Sequence, residues 1–278
     1  RRHLGDSRAR LPPPPSWSSA MAPPPDDTQV KLDALMFMAR EFTKDKHPLQ
    51  AIKCYEAICN KPHNGLNLLP LPEARARVNL SYLLLEFTDN VHRAKTHLET
   101  TQMLLRGIHG YEDLKCSTFS GLSKCYKLMG ADLRRQQTDA VQKGMDMSRI
   151  KSKKCPEDPR WKVWQFHFHL EKAELKMGLG DFRSAEQEIA AGLALAESMD
   201  LPRVEFIFAL AQLQRAIAQK ASGAGAGAGV GDAGDRADKA LAALEEREGK
   251  AKCTPMRLHH QVLRMLGRLN AGDVSATA

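Results

Sequence analysis

Aromatic residues make up only 6% of the sequence. Nowhere do Val, Ile, Thr and Tyr alternate with polar residues as a half-buried strand requires, so a sheet-based fold is excluded. No run of about 18 apolar residues occurs, which excludes a helical membrane span. There is no Walker-type phosphate loop, no Ser/His/Asp succession, and no pair of carboxylates set in a Gly-rich turn. Cys54, Cys59 and His63 come nearest to a zinc ligand set, but they lack the two-to-four-residue spacing between cysteines that structural zinc sites use. The sequence therefore predicts a non-enzyme with no cofactor, no metal and no small-molecule substrate.

The six cysteines, Cys54, Cys59, Cys116, Cys125, Cys155 and Cys253, do not read as a disulfide framework, because the chain is long and rich in helix formers. Four of them fall at apolar helix positions, where a free thiol packs as a small hydrophobe. Reduced thiols, and with them a cytosolic or nuclear setting, are expected.

Leu, Ala, Lys, Arg, Glu and Gln dominate from about Val30 onward. These side chains lose little rotamer freedom in a helix, so the expected class is all-α. Residues 1–29 form a Pro-rich tail, with Leu11 to Pro15 and Met21 to Pro25 unable to sustain a helix. Met21 reads as the start of translation in the natural protein. Paired helices are predicted over 30–220, followed by a Gly/Ala-rich linker at 221–235 and a final partial repeat at 236–278. The predicted pairs are Val30–Thr43 with Leu49–Cys59, Pro72–Phe87 with Val91–Ile108, Glu112–Met129 with Leu133–Ser148, and Arg160–Met177 with Phe182–Ser198. A fifth joins Pro202–Lys220 to Arg236–Arg247, and Arg257–Asn270 opens a sixth.

The pairs share a register. Gly180, Asp181, Phe182 and Ala185, followed by Ile189 and Gly192, give a tight turn, a large residue and then small residues on successive turns. Small positions let helices approach and large ones fill the gap, which is the tetratricopeptide pattern. Ala51, Ala94, Gln137 and Ala185 are the anchors of successive units, about 43 to 48 residues apart against the usual unit of roughly 34. A right-handed superhelical solenoid of antiparallel pairs follows. Gly229, Gly231 and Gly234 spell a dinucleotide-binding fingerprint, but an Ala-rich helix precedes them where that motif needs a strand.

His167, His169 and Glu171 resemble a ligand cluster on paper. On a helix His169 points about 200° away from the other two, so a shared metal is not expected. Trp161 and Trp164 are predicted to fill an interface between repeats. The run Lys151 to Lys154 reads as solvated loop charge, with a nuclear import signal as the alternative. The net charge of +8 includes +3 in the first twenty residues, and the rest is expected to be spread thinly.

Three ordered segments carry a resemblance to a known family: Ala51-Ile-Lys-Cys-Tyr-Glu-Ala-Ile-Cys59, Asn90-Val-His-Arg-Ala-Lys-Thr-His-Leu-Glu99, and Leu114-Lys-Cys with Leu122-Ser-Lys-Cys-Tyr126 and Leu128-x-Gly130. Over about Leu35 to Lys220 the chain resembles the sister chromatid cohesion protein 4 family, the tetratricopeptide subunit of the cohesin loader, and most of all its plant-type members. The resemblance implies a nuclear, chromatin-associated protein that clamps the N-terminal segment of the large Nipped-B-type subunit, touching cohesin and chromatin indirectly. Family members run well beyond this length, which suggests an N-terminal portion. With the first helix of each pair lining the groove, the candidate contact residues are Met36, Arg40, Asn79, Leu83, Glu86, His167 and Glu174. A tetratricopeptide adaptor or co-chaperone that captures a peptide tail through a terminal carboxylate is the alternative.

Overall fold

A computed structural model describes residues 27–60 and 69–221, together with 239, 240, 242–244, 246 and 247. Residues 1–26 of the predicted Pro-rich tail, the Gly-rich fingerprint, the Arg257–Asn270 helix and most of the predicted linker lie outside the described residues. Residues 27–29, predicted as tail, begin the first helix. Within the described residues the chain is helical throughout, without strands. The helices are α1 (Asp27–Lys44), α2 (Pro48–Cys59), α3 (Pro70–Phe87), α4 (Val91–Leu104), α5 (Glu112–Met129), α6 (Arg134–Lys154), α7 (Pro159–Gly178), α8 (Phe182–Glu197) and α9 (Pro202–Ala221).

Local chemistry sets the helix starts. Pro48, Pro70, Pro159 and Pro202 stand at first positions, where the missing amide would have had no partner. Asp158 caps α7 by accepting from the Arg160 amide, and Asp181 caps α8 by accepting from the Ser184 amide. Gly180, at φ +75°, makes the left-handed turn that lets α7 end and α8 begin within three residues.

Among the described residues, three boundaries differ from expectation by more than two residues: α1 begins at Asp27 and not Val30, α4 ends at Leu104 and not Ile108, and α6 runs on past Ser148. Helix α6 continues six residues past Ser148, so Lys151, Lys153 and Lys154 belong to its last turn and not to a loop. Cations there oppose the negative end of the helix dipole, and Lys151 Nζ also reaches Glu112 at 3.0 Å.

Each helix packs antiparallel on the next, and from α3 onward successive odd-numbered helices also touch one another. No comparable interface joins α2 to α4 or α4 to α6. A row of pairs that curves brings together the helices on its shorter arc. The odd-numbered helices are therefore the inner, concave lining and the even-numbered ones the outer wall.

The anchors fall in register. Ala51, Ala94, Gln137 and Ala185 are each the fourth residue of an even-numbered helix, and all are buried. Seven residues further on stand Ile58, Thr101, Gly144 and Gly192, again all buried. The rings of Phe168 and Phe208 seat against the two glycines. Trp161 is buried, and Trp164 stacks on Phe168 while donating its indole N–H to Asp113 at 2.6 Å. Cys54, Cys59, Cys116 and Cys125 are free and buried. Beyond α9, the described Ala240 and Leu244 pack on Phe206, Ala209 and Leu213.

Two polar groups, the buried His97 and the half-buried Glu188, are expected to make the fold acid-sensitive. His97 lies in the core, and burial, then the positive charge of Arg77, lower its pKa to about 4. A lowered histidine favours folding above its ordinary pKa of 6.5 and loses that contribution as pH falls toward about 4. Glu188 forms a second window. Its hydrogen bond to His169, aided by Lys172, holds the carboxyl at about 2, so its contribution disappears as pH falls from 4.5. Thermal melts should hold steady from pH 8 to about 6.5 and then decline in two stages. His97→Asn keeps an acceptor for Arg77 but cannot titrate, so it should flatten the upper stage. An unchanged upper slope would assign it elsewhere.

Candidate functional site

Among the described residues, two clefts between inner helices bring predicted contact residues together. The first, about 270 Å³, lies between α1 and the start of α3. Its apolar wall is Met36, Phe37 and Leu71, and Arg40 and Arg75 approach it from the two helices. Both arginines are exposed, and among the described residues neither makes an ion pair, while Asp33 at the rim accepts from Gln29. Phe37 leaves 64% of its surface exposed, an unusual state for a large aromatic. The cleft thus offers an apolar shelf beside two guanidinium forks, which suits a large side chain next to a carboxylate.

The second cleft, about 330 Å³, lies between α5 and α7 and is bordered by Gln137 of α6. Lys124, Lys127, His167, Leu170, Glu171 and Glu174 line it. Lys127 Nζ donates to Glu174 at 2.6 Å, and Lys124 Nζ stands 5.2 Å from the centre of the Tyr82 ring. Charges of both signs alternate here, so this cleft favours polar backbone and side-chain contacts over a single ion.

At its floor, Ser120, His167 and Glu171 meet. The Ser120 hydroxyl donates to Glu171 Oε1 at 2.9 Å, and its oxygen lies 2.5 Å from His167 Nε2. The same Nε2 is 2.8 Å from Glu171. A hydrolytic triad needs the carboxylate on one ring nitrogen and the hydroxyl on the other. Here one nitrogen serves both and the hydroxyl proton points at the carboxylate, so the serine is not activated. The trio braces α5 to α7. Tyr82 likewise braces α3 to α5 by donating to the Ser117 carbonyl at 2.9 Å. His169 faces the other way and meets Glu188 of α8. Among the described residues no group of three His, Cys, Asp or Glu side chains is placed to hold a metal ion.

The predicted contact residues separate into three groups. Met36 and Arg40 meet in the first cleft, and His167 and Glu174 in the second. Asn79 and Glu86 are exposed on α3 but line neither cleft, and Asn79 donates to the Tyr55 hydroxyl at 3.2 Å. Leu83 is only 6% exposed and packs in the core with Leu80 and Leu84, so it presents little to a ligand. Sequence reasoning missed Phe37, Arg75, Lys124, Lys127 and Glu171. Phe37 did carry a signal, an aromatic standing off the apolar stripe of its helix.

The fold is similar to that of nearly identical tetratricopeptide-like repeats of a Podosopora anserina kinesin light chain protein, solved by crystallography. The TM-score is 0.52 at 13% identity, covering 80% of this chain and 99% of that one. In sequence, the chain is 31% identical over 170 residues to the sister chromatid cohesion protein SCC4 of Arabidopsis thaliana. That match takes in 61% of this chain and 22% of the relative's length. The family model for the cohesin loading factor matches residues 49–277, from the first turn of α2 through every later helix described. The solenoid register, the relative and the family match agree: the chain belongs to the cohesin loading factor family.

Proposed function

We propose that the chain acts in cohesin loading as a non-catalytic scaffold in the nucleus, clamping an extended segment of the large Nipped-B-type loader subunit along its inner face. The observation that carries this reading is the inner face itself. Odd-numbered helices line it, touching one another from α3 onward, and clefts of different chemistry open between them. An extended segment loses conformational freedom when it is ordered, so it needs several separated anchors, and the clefts supply them. The first cleft takes an apolar residue beside an acidic one, with Phe37 and Met36 under the former and Arg40 and Arg75 on the latter. The second takes polar groups against Lys124, Lys127 and Glu174. The braces through Tyr82 and Ser120 keep the clefts in fixed relation, which lowers the ordering cost on the protein's side.

Isothermal titration of the full chain with the N-terminal segment of the loader subunit tests the reading directly. Arg40→Glu with Arg75→Glu should weaken binding by about tenfold or more while leaving the melting temperature unchanged. Lys44→Glu with Lys46→Glu, an equal charge change outside the cleft, should leave it nearly intact. No binding of the segment, combined with capture of peptides ending in a free carboxylate, would replace this reading with the adaptor one.

A further inference from the structure

The positive charge of this chain is not spread evenly. Helix α6 carries seven cationic side chains against Asp139 and Asp146, a net of +5. The first twenty residues hold +3 of the total +8, so everything outside these two stretches sums to neutral. Helix α6 packs between α5 and α7 on the outer wall. Arg135, Lys143, Arg149, Lys153 and Lys154 of its uncovered side are all exposed. Of these only Lys143 is committed, to Asp139 at 2.7 Å, among the described residues. Asp146 accepts from Gln142 at 2.8 Å.

We infer that the outer face of α6 is a docking surface for duplex DNA, held through its phosphates and without regard to sequence. Geometry favours this partner over others. Arg135, Arg149 and Lys153 fall within about 40° of one another around the helix and extend over about 27 Å along it. That is the rise of about eight base pairs, on a straight rod facing a straight rod. A protein partner would need an apolar or aromatic anchor, and on this face only Ile150 is offered. A bilayer would need the apolar side of the helix, which is buried against α5 and α7. Single strands are held by stacking on aromatics, and α6 has none. The surface lies on the outer wall, away from the inner clefts, so it does not depend on the clamping proposal.

The test is fluorescence anisotropy of the full chain with a labelled duplex of about 24 base pairs. About four phosphate contacts should give a log–log salt slope of about −3 to −4, and about a 100-fold loss of affinity between about 50 and 200 mM salt. Arg135→Glu, Arg149→Glu and Lys153→Glu together should remove most of the binding and most of the slope. The control, Lys53→Glu, Arg183→Glu and Arg203→Glu, makes the same change in net charge on other helices and should cost only a few-fold. Melting curves confirm that both triples fold. Absence of binding at about 50 mM salt, or equal losses in the two triples, would overturn the inference. Tighter binding to a single strand or an acidic peptide than to the duplex would overturn it as well.

Discussion

Arg77→Met is expected to destabilise the chain by about 3–5 kcal/mol, enough to lower the melting temperature by about 10 °C. Arg77 is the junction of three helices. Its Nε donates to Glu73 at 2.9 Å, Nη1 meets His97 Nδ1 of α4 at 2.9 Å, and Nη2 reaches the Cys59 carbonyl at the end of α2. The side chains of Arg77 and Glu73 are only 13% and 3% exposed. Removing the guanidinium therefore takes from a buried carboxylate the cation that faces it, and the cost of that lost charge pairing dominates over the lost hydrogen bonds. The double change Glu73→Leu with Arg77→Met separates these contributions. With neither charge present it should recover most of the stability, because a buried pair stabilises little beyond well-packed apolar residues. Denaturant melts of the single and double variants measure the coupling directly. A double variant as unstable as Arg77→Met alone would mean that the links to His97 and Cys59, not the buried charge, hold the junction.

Much of the scaffold was legible because it depends on local rules. Prolines mark helix starts, and the small anchors at Ala51, Ala94 and Ala185 recur where even-numbered helices must approach their neighbours. The end of α6 was not legible by the same logic. Lys151 to Lys154 carry no apolar position to show periodicity, and what extends the helix is the dipole and a distant partner, Glu112. The clefts were harder still. Register tells which way a residue points but not how deep it sits, so Met36 and Leu83 were assigned alongside the exposed Arg40 and Glu86 although both are buried in the same core cluster. Arg40 and Arg75 share a cleft because the curvature of the row brings α1 to the start of α3. Ser120 and His167 meet across 47 residues for the same reason. Superhelical curvature is the sum of many side-chain volumes, and no single stretch of sequence states it.

Those volumes are most exacting at Gly144 and Gly192, which occupy the same register position in successive outer helices. A methyl group at Gly144 would stand 2.1 Å from the Phe168 ring, and one at Gly192 would stand 2.1 Å from the Phe208 ring. Both rings are fully buried, and Trp164 and Phe166 pack against them at centroid distances of 5.7 and 6.2 Å, so neither can swing aside. Two effects of Gly→Ala oppose each other here. Alanine gains about 1 kcal/mol in helix propensity, while a ring forced out of a filled core costs about 1–3 kcal/mol, and more where nothing yields. With contacts this short the clash wins, and each substitution should cost about 2 kcal/mol net, or about 4–8 °C in melting temperature. The two sites belong to different core clusters, so their costs should add. Gly178→Ala supplies the contrast: nothing lies within 4 Å of its added carbon, and it should be neutral or stabilise by up to about 1 kcal/mol. Pairing Gly192→Ala with Phe208→Leu should restore part of the loss, because the shorter side chain vacates the space the methyl needs. If Gly192→Ala melts with the parent chain, the helices α8 and α9 stand further apart than the register requires, and the inner face they help to set would have a different curvature.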